Sequence, residues 1–219
     1  MAEKWKISAP AMQDEAVPCE GLQRLLEDAA AAGDDLRGKY FTGEQLLFVE
    51  GQSLDIADCI FERCVFGEMD LKRISFVDCV FIKCEWSNTH LINATFQRVR
   101  FLGCRMTGLE FLRGVLMNVC FEDCMMDYVS LSETKLDRVC FERCRLRESL
   151  WSEARLPKTR FDSCDLSKAQ WSRTPLAGMD LSSCQIDGWT IALNDLRGAK
   201  VTAAQLISLS GLLGVEIVP

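Results

Sequence analysis

The chain has 219 residues, 48% of them hydrophobic, with a formal net charge of −7. That length fits one domain, and that apolar content fits a packed core. No stretch approaches the roughly eighteen apolar residues of a membrane span, and residues 1–18 hold no apolar run of the kind that heads a secretory signal. A cytoplasmic protein is expected, with its twelve cysteines reduced and no disulfides among them.

Residues 1–18, with Pro10 and Pro18, read as an extended or loosely ordered arm. From Cys19 to Ala32 the pattern is helical: Leu22, Leu25, Leu26 and Ala29 form one apolar stripe, and Gly33 is a stop signal. Residues 19–53 together read as an N-terminal helix and capping segment, or alternatively as a partner-binding helix. Phe41, Leu46, Leu47 and Phe48 leave open a degenerate first repeat within them.

Residues 54–201 are periodic. Every fifth residue from Ile56 to Val201 is apolar, thirty positions without a polar exception. Within this, Phe61, Phe81, Phe101, Phe121, Phe141 and Phe161 recur every twenty residues. Three places after each comes a second ladder, Cys64, Cys84, Cys104, Cys124, Cys144, Cys164 and, last, Cys184. A helix requires a period of 3.6 and a strand a period of 2, so neither alone produces five. Five is the period of a chain that turns a corner at every block. Four blocks then close a square coil of twenty residues that stacks on the next, placing one large and one small side chain inward per block. The cysteines fill the small slot as stacked core residues.

Blocks such as Cys164-Asp165-Leu166-Ser167-Lys168, Met179-Asp180-Leu181-Ser182-Ser183 and Asn194-Asp195-Leu196-Arg197-Gly198 resemble the A-(D/N)-L-x-x motif of the pentapeptide-repeat family. The resemblance implies an all-β solenoid, a right-handed quadrilateral β-helix of pentapeptide repeats with short helical caps at both termini. Seven and a half coils at ~4.8 Å each would make a rod roughly 36 Å long.

In residues 202–219, Thr202-Ala203-Ala204-Gln205 is a capping box that opens a short helix. Leu206, Leu209 and Leu213 line one side, Gly214 ends it, and Val215 to Val218 read as a short strand. This ending resembles that of the Qnr-type quinolone-resistance subgroup, in which the C-terminal helix is the homodimer contact. Leu206, Leu209, Leu213, Val215 and Ile217 are therefore candidates for a dimer contact or a simple cap.

Charge is uneven. Residues 1–55 carry eleven acids and five bases, whereas residues 56–201 carry twenty of each. A neutral rod is poorly suited to mimicking a duplex, whose charges lie ~1.7 Å apart along the axis. Glu62, Glu122, Glu142 and Asp162 share a face with Arg63, Lys83 and Arg143, so no clean acidic stripe emerges. The basic residues around Arg143, Arg145 and Arg147 are likewise interleaved with acids, and direct nucleic-acid binding is not expected. Ile60, Val80, Ile82, Leu102, Leu112 and Val115 are apolar at slots expected to face outward, which makes them candidates for a lateral protein interface.

No catalytic constellation is legible. His90 is the only histidine, and no phosphate-cradling glycine loop is present. The pairs Cys120/Cys124 and Cys140/Cys144 cannot converge on zinc, because inward Cys124 and Cys144 point away from outward Cys120 and Cys140. No enzyme activity, metal or cofactor is expected. The reading that remains is a rigid interaction module for an unidentified protein partner. The alternative implied by the resemblance is a Qnr-type DNA mimic protecting DNA gyrase or topoisomerase IV from quinolones.

Overall fold

A computed structural model describes residues 5–12 and 15–214. Its backbone explains the five-residue period. Residues two after the apolar centres take left-handed φ values, as at Asp58 (55°), Arg63 (53°), Asp78 (54°) and Lys83 (52°), and the pattern continues to Arg173 (48°). Each such residue costs about 1 kcal/mol of local strain, which the stacked core must offset. Between corners the chain is extended. Successive coils pair in parallel, producing a four-sided β-solenoid of about nine turns. Among the described residues, one sheet has eleven strands and a second has six.

Register is strict. Val99, Phe101, Val119, Phe121, Val139 and Phe141 each lie opposite the residue twenty places on. Phe41, Phe61, Phe81, Phe101, Phe121, Phe141 and Phe161 therefore stack, with ring centroids 4.8–5.5 Å apart and planes within 12° of parallel. Every expected core residue, from Phe61 to Phe161 and from Cys64 to Cys184, is buried.

The small inward slot has a further requirement beyond size. Cys124 Sγ donates to the Phe101 carbonyl at 3.6 Å, Thr134 Oγ1 to Phe111 at 3.2 Å and Thr174 Oγ1 to Trp151 at 3.0 Å. The separation is 23 residues each time. The donor spans from one coil to the one before it, which explains why thiols and hydroxyls share a slot that volume alone would assign to alanine. Burial pushes the Cys59 thiol up to about 11 and Cys79 well above its ordinary value.

The solenoid begins earlier than residue 54. Asp35–Arg37 pairs with Asp55–Ala57, Tyr40–Thr42 with Ile60–Glu62, and Gln45–Ala57 with Val65–Val77. Residues 35–53 thus form the first coil that Phe41, Leu46, Leu47 and Phe48 left open, and α1 (Leu22–Ala32) precedes it at the open end. Gly51 stands where a large centre belongs, which hid that coil from the periodicity. The α1 helix buries Leu22, Leu26 and Ala29, and Gly33 closes it at φ 73° with its N–H on the Ala29 carbonyl.

At the other end, Asn194-Asp195-Leu196 is not a strand block but part of a helical turn, α2 (Leu193–Leu196). The predicted capping box at Thr202 and Gln205 is present and opens α3 (Ala203–Leu209). Gln205 Nε2 also donates to the carbonyls of Leu181 (2.8 Å) and Cys184 (2.7 Å), satisfying acceptors that no further coil reaches. Leu209 is buried against the core, whereas Leu206 is 56% exposed. The two therefore do not share one face. The side chain of Leu213 and the whole of Val215 and Ile217, with their expected strand, lie outside the described residues.

Candidate functional site

The six lateral candidates do not form one surface. Ile60, Val80, Ile82 and Leu102 lie on the large sheet in two adjacent columns, paired Ile60↔Val80 and Ile82↔Leu102. Leu112 belongs to the six-stranded sheet, and Val115 follows it around the corner. All six are half-buried.

The described residues of the N-terminal arm lie along the rod. Val17 and Pro18 add an edge strand beside Lys39 and Tyr40. Upstream, the Ala11 N–H donates to Asp78 Oδ1 at 2.8 Å and the Ser8 N–H to Asn118 Oδ1 at 3.2 Å. The Trp5 ring lies over the Arg160 guanidinium, 5.6 Å from its centroid. The arm thus crosses several coils down one corner. Burial by itself would raise the Asp78 carboxyl, but the Arg98 guanidinium and the Ala11 N–H outweigh it and hold it below the usual carboxylate range.

Beneath the arm, Cys120 and Cys140 are joined by a disulfide, with Cα atoms 4.8 Å apart. This corrects the expectation that the cysteines carry no disulfide. Both occupy the same outward slot in successive coils, so the strand spacing brings them together. The signal was in the sequence, as a twenty-residue separation outside the inward ladder. Glu142 lies within 4.8 Å of the pair. With the sulfurs bonded to each other, that trio offers a carboxylate and no thiolate.

The rod's charges neutralise one another from coil to coil. Arg143 pairs with Asp123 at 2.8 Å, Arg145 with Asp127 at 2.6 Å, Arg147 with Asp165 at 3.6 Å and Arg105 with Glu85 at 3.4 Å. Arg100 pairs with Glu122, Arg160 with Glu142 and Arg173 with Glu153. These acids thus face a base one coil away, and the arginines around position 145 are partnered in the same way. Exposed pairs of this kind contribute about 0–1 kcal/mol each, so their main effect is on surface potential.

The six-stranded sheet is different. Its strands are His90–Ile92, Glu110–Leu112, Ser130–Ser132, Leu150–Ser152, Gln170–Ser172 and Thr190–Ile191. Leu91, Phe111, Leu131, Trp151, Trp171 and Ile191 point in. The outward residues include Ile92 (44% exposed) and Leu150 (38%), and from Leu112 onward the strands carry no charged residue. The charge lies on the corners, at Arg113, Glu133, Glu153 and Arg173. His90 is exposed at one end of this face, 3.6 Å from Glu110.

The pentapeptide repeat region model matches residues 54–119 and 94–171, together more than half of the chain. The chain belongs to the pentapeptide-repeat family. Proteins of this family are generally structural or interaction modules. Among solved structures, the pentapeptide-repeat rod is similar to HetL, a protein involved in heterocyst differentiation regulation from the cyanobacterium Nostoc sp. strain PCC 7120. The two are 14% identical with a TM-score of 0.50, over 79% of this chain and 92% of that one. It is also similar to a trypsin-treated variant of QnrB1, a plasmid-mediated fluoroquinolone resistance protein. That match has 18% identity and a TM-score of 0.38, over 84% of this chain and all of the other. No curated protein matches the chain in sequence. Among the described residues, no helix is long and apolar enough to cross a membrane.

Proposed function

We propose that this pentapeptide-repeat rod is a non-enzymatic interaction module that binds a protein partner through an outward face. The observation that carries this reading is the charge-free run of the six-stranded sheet from Leu112 to Ile191, bordered by charged corners on a rod whose large sheet is laced with ion pairs. The four wholly uncharged strands, at ~4.8 Å each, make a strip roughly 20 Å long. A charge-poor centre with a polar rim is the anatomy of a protein interface. Stacked coils leave little ordering entropy to lose on binding. Protection of gyrase by duplex mimicry is less well supported, because it needs an acidic ridge that the coil-to-coil pairs neutralise.

A photo-crosslinking residue at Leu150 should capture a partner from cell extract, while one at Asp162, on the large sheet, should not. Equal capture from both faces, or capture from neither, refutes the assignment. Gyrase supercoiling inhibited by a fluoroquinolone should be unchanged by excess protein; rescue would transfer the function to topoisomerase protection. A second copy is proposed to join at the C-terminal end, where Leu206 and Ile207 (60%) are exposed on α3. Leu206→Lys with Ile207→Lys should halve the mass in light scattering, and an unchanged mass rules that contact out.

A further inference from the structure

We propose that Cys120 and Cys140 form a thiol–disulfide exchange site for low-molecular-weight thiols and disulfides, gated by the N-terminal arm. Three features converge on this pair. First, the pair faces outward, whereas Cys104, Cys124, Cys144 and Cys164 point inward and donate their S–H groups to carbonyls of the preceding coil. Second, the column containing the pair reads Arg100, Cys120, Cys140, Arg160 in unbroken register. An arginine therefore stands one rung from each cysteine, paired with Glu122 or Glu142, and the Glu142 carboxylate, within 4.8 Å of both sulfurs, offsets part of its field. A nearby guanidinium stabilises a thiolate, the species that attacks and the species that leaves. Third, a cavity of about 430 Å³ lies over the pair, between the rod and Trp5, Lys6 and Ile7 of the arm. That is space for a small molecule.

The exchange is a two-electron transfer. A small thiolate attacks Sγ of Cys120, the more accessible residue at 8% exposure against 0% for Cys140. The Cys120–Cys140 bond breaks as the new S–S bond forms, the electron pair leaves on Cys140 Sγ, and that Cys140 thiolate then takes a proton from water. A second small thiolate displaces Cys120, releasing the small disulfide and leaving both cysteines as thiols. In reverse, a low-molecular-weight disulfide is the oxidant, takes up the two electrons and is released as two thiols. The arm controls access. Its seat rests on Trp5 over Arg160 and on the Ser8 and Ala11 amides, and Trp5, Lys6, Ile7 and Ala9 wall the cavity over the pair. Lifting the arm therefore widens the approach to Cys120 and speeds exchange.

The test uses the full chain. Equilibrated in glutathione buffers of graded potential and then alkylated under denaturing conditions, Cys120 and Cys140 should gain and lose protection together, with the ladder cysteines alkylated throughout. Protection of a different pair, or free thiols at both positions under excess oxidised glutathione, overturns the site. Trp5→Ala should speed reduction of the pair by reduced glutathione roughly threefold or more, as loss of a cation–π contact predicts. An unchanged rate overturns the gating. Cys140→Ser should accumulate a glutathione mixed disulfide on Cys120, and Cys120→Ser should accumulate far less on Cys140; the opposite order overturns the direction of attack. These readouts do not involve the six-stranded sheet, so failure here leaves the partner-binding reading standing.

Discussion

Phe121→Ala is the sharpest probe of the stacked core. The Phe121 ring lies between Phe101 (4.8 Å, 3°) and Phe141 (4.9 Å, 3°) and is fully buried. Its strand is paired on both sides, from Val115 to Glu122, so the backbone cannot close around a missing ring. Phe→Ala in a core costs about 3–5 kcal/mol, and a site that cannot collapse belongs near the top of that range. With a urea slope of about 2–3 kcal/mol/M, the unfolding midpoint should fall by roughly 1.5–2 M. Glu122→Ala is the matched control. Glu122 is the next residue, points outward and pairs with Arg100, so its loss should cost under about 1 kcal/mol. The assay is urea unfolding followed by circular dichroism. A Phe121→Ala midpoint within roughly 0.5 M of the parent protein, or one equal to that of Glu122→Ala, would refute the inward ladder and the register on which every face assignment rests.

Gly67→Ala should destabilise the fold by about 1–3 kcal/mol, because a Cβ there would lie 2.3 Å from the Leu47 carbonyl oxygen, a backbone atom that cannot swing aside. A thermal melt reads this, and an unaltered midpoint would show that the pairing of Gln45–Ala57 with Val65–Val77 is looser than described. The arm should be sensitive to acid. Against the raising effect of burial, the Arg98 guanidinium and then the Ala11 N–H hold the Asp78 carboxyl low, so the Ala11 share of that stabilisation is fully present above the ordinary carboxylate range, about pH 4, and is lost as pH falls through the lower folded value. Protection of the Ala11 amide from hydrogen exchange, corrected for the intrinsic rate, should follow that course. In Asp78→Asn it should be weak at every pH; protection that ignores both changes would mean the arm is held by other contacts.

The period of five determined the rod. Where inward residues recur without a break, as at Phe61 to Phe161, each coil dictates the next, and sequence alone assigns large slot, small slot and corner. Legibility failed where the signal was broken or where two distant segments meet. Gly51 in a centre position hid the first coil, although the pairing of Phe41 with Phe61 shows that it stacks like the rest. The Cys120–Cys140 disulfide follows from the solenoid's own register, which sets the same outward slot of successive coils side by side. The docked arm was not legible, because Trp5, Ser8 and Ala11 meet residues 67 to 155 positions away and carry no periodicity of their own. The outward faces were only half legible. Sequence assigned Leu112 and Ile60 to the same class of slot, yet they face different directions, and composition could not say that the charges pair across coils while one sheet carries none from Leu112 onward. An inward slot is set by local volume and repeats with the chain. An outward surface is set by which columns become neighbours and by what the arm covers, and those were decided only when the coils stacked.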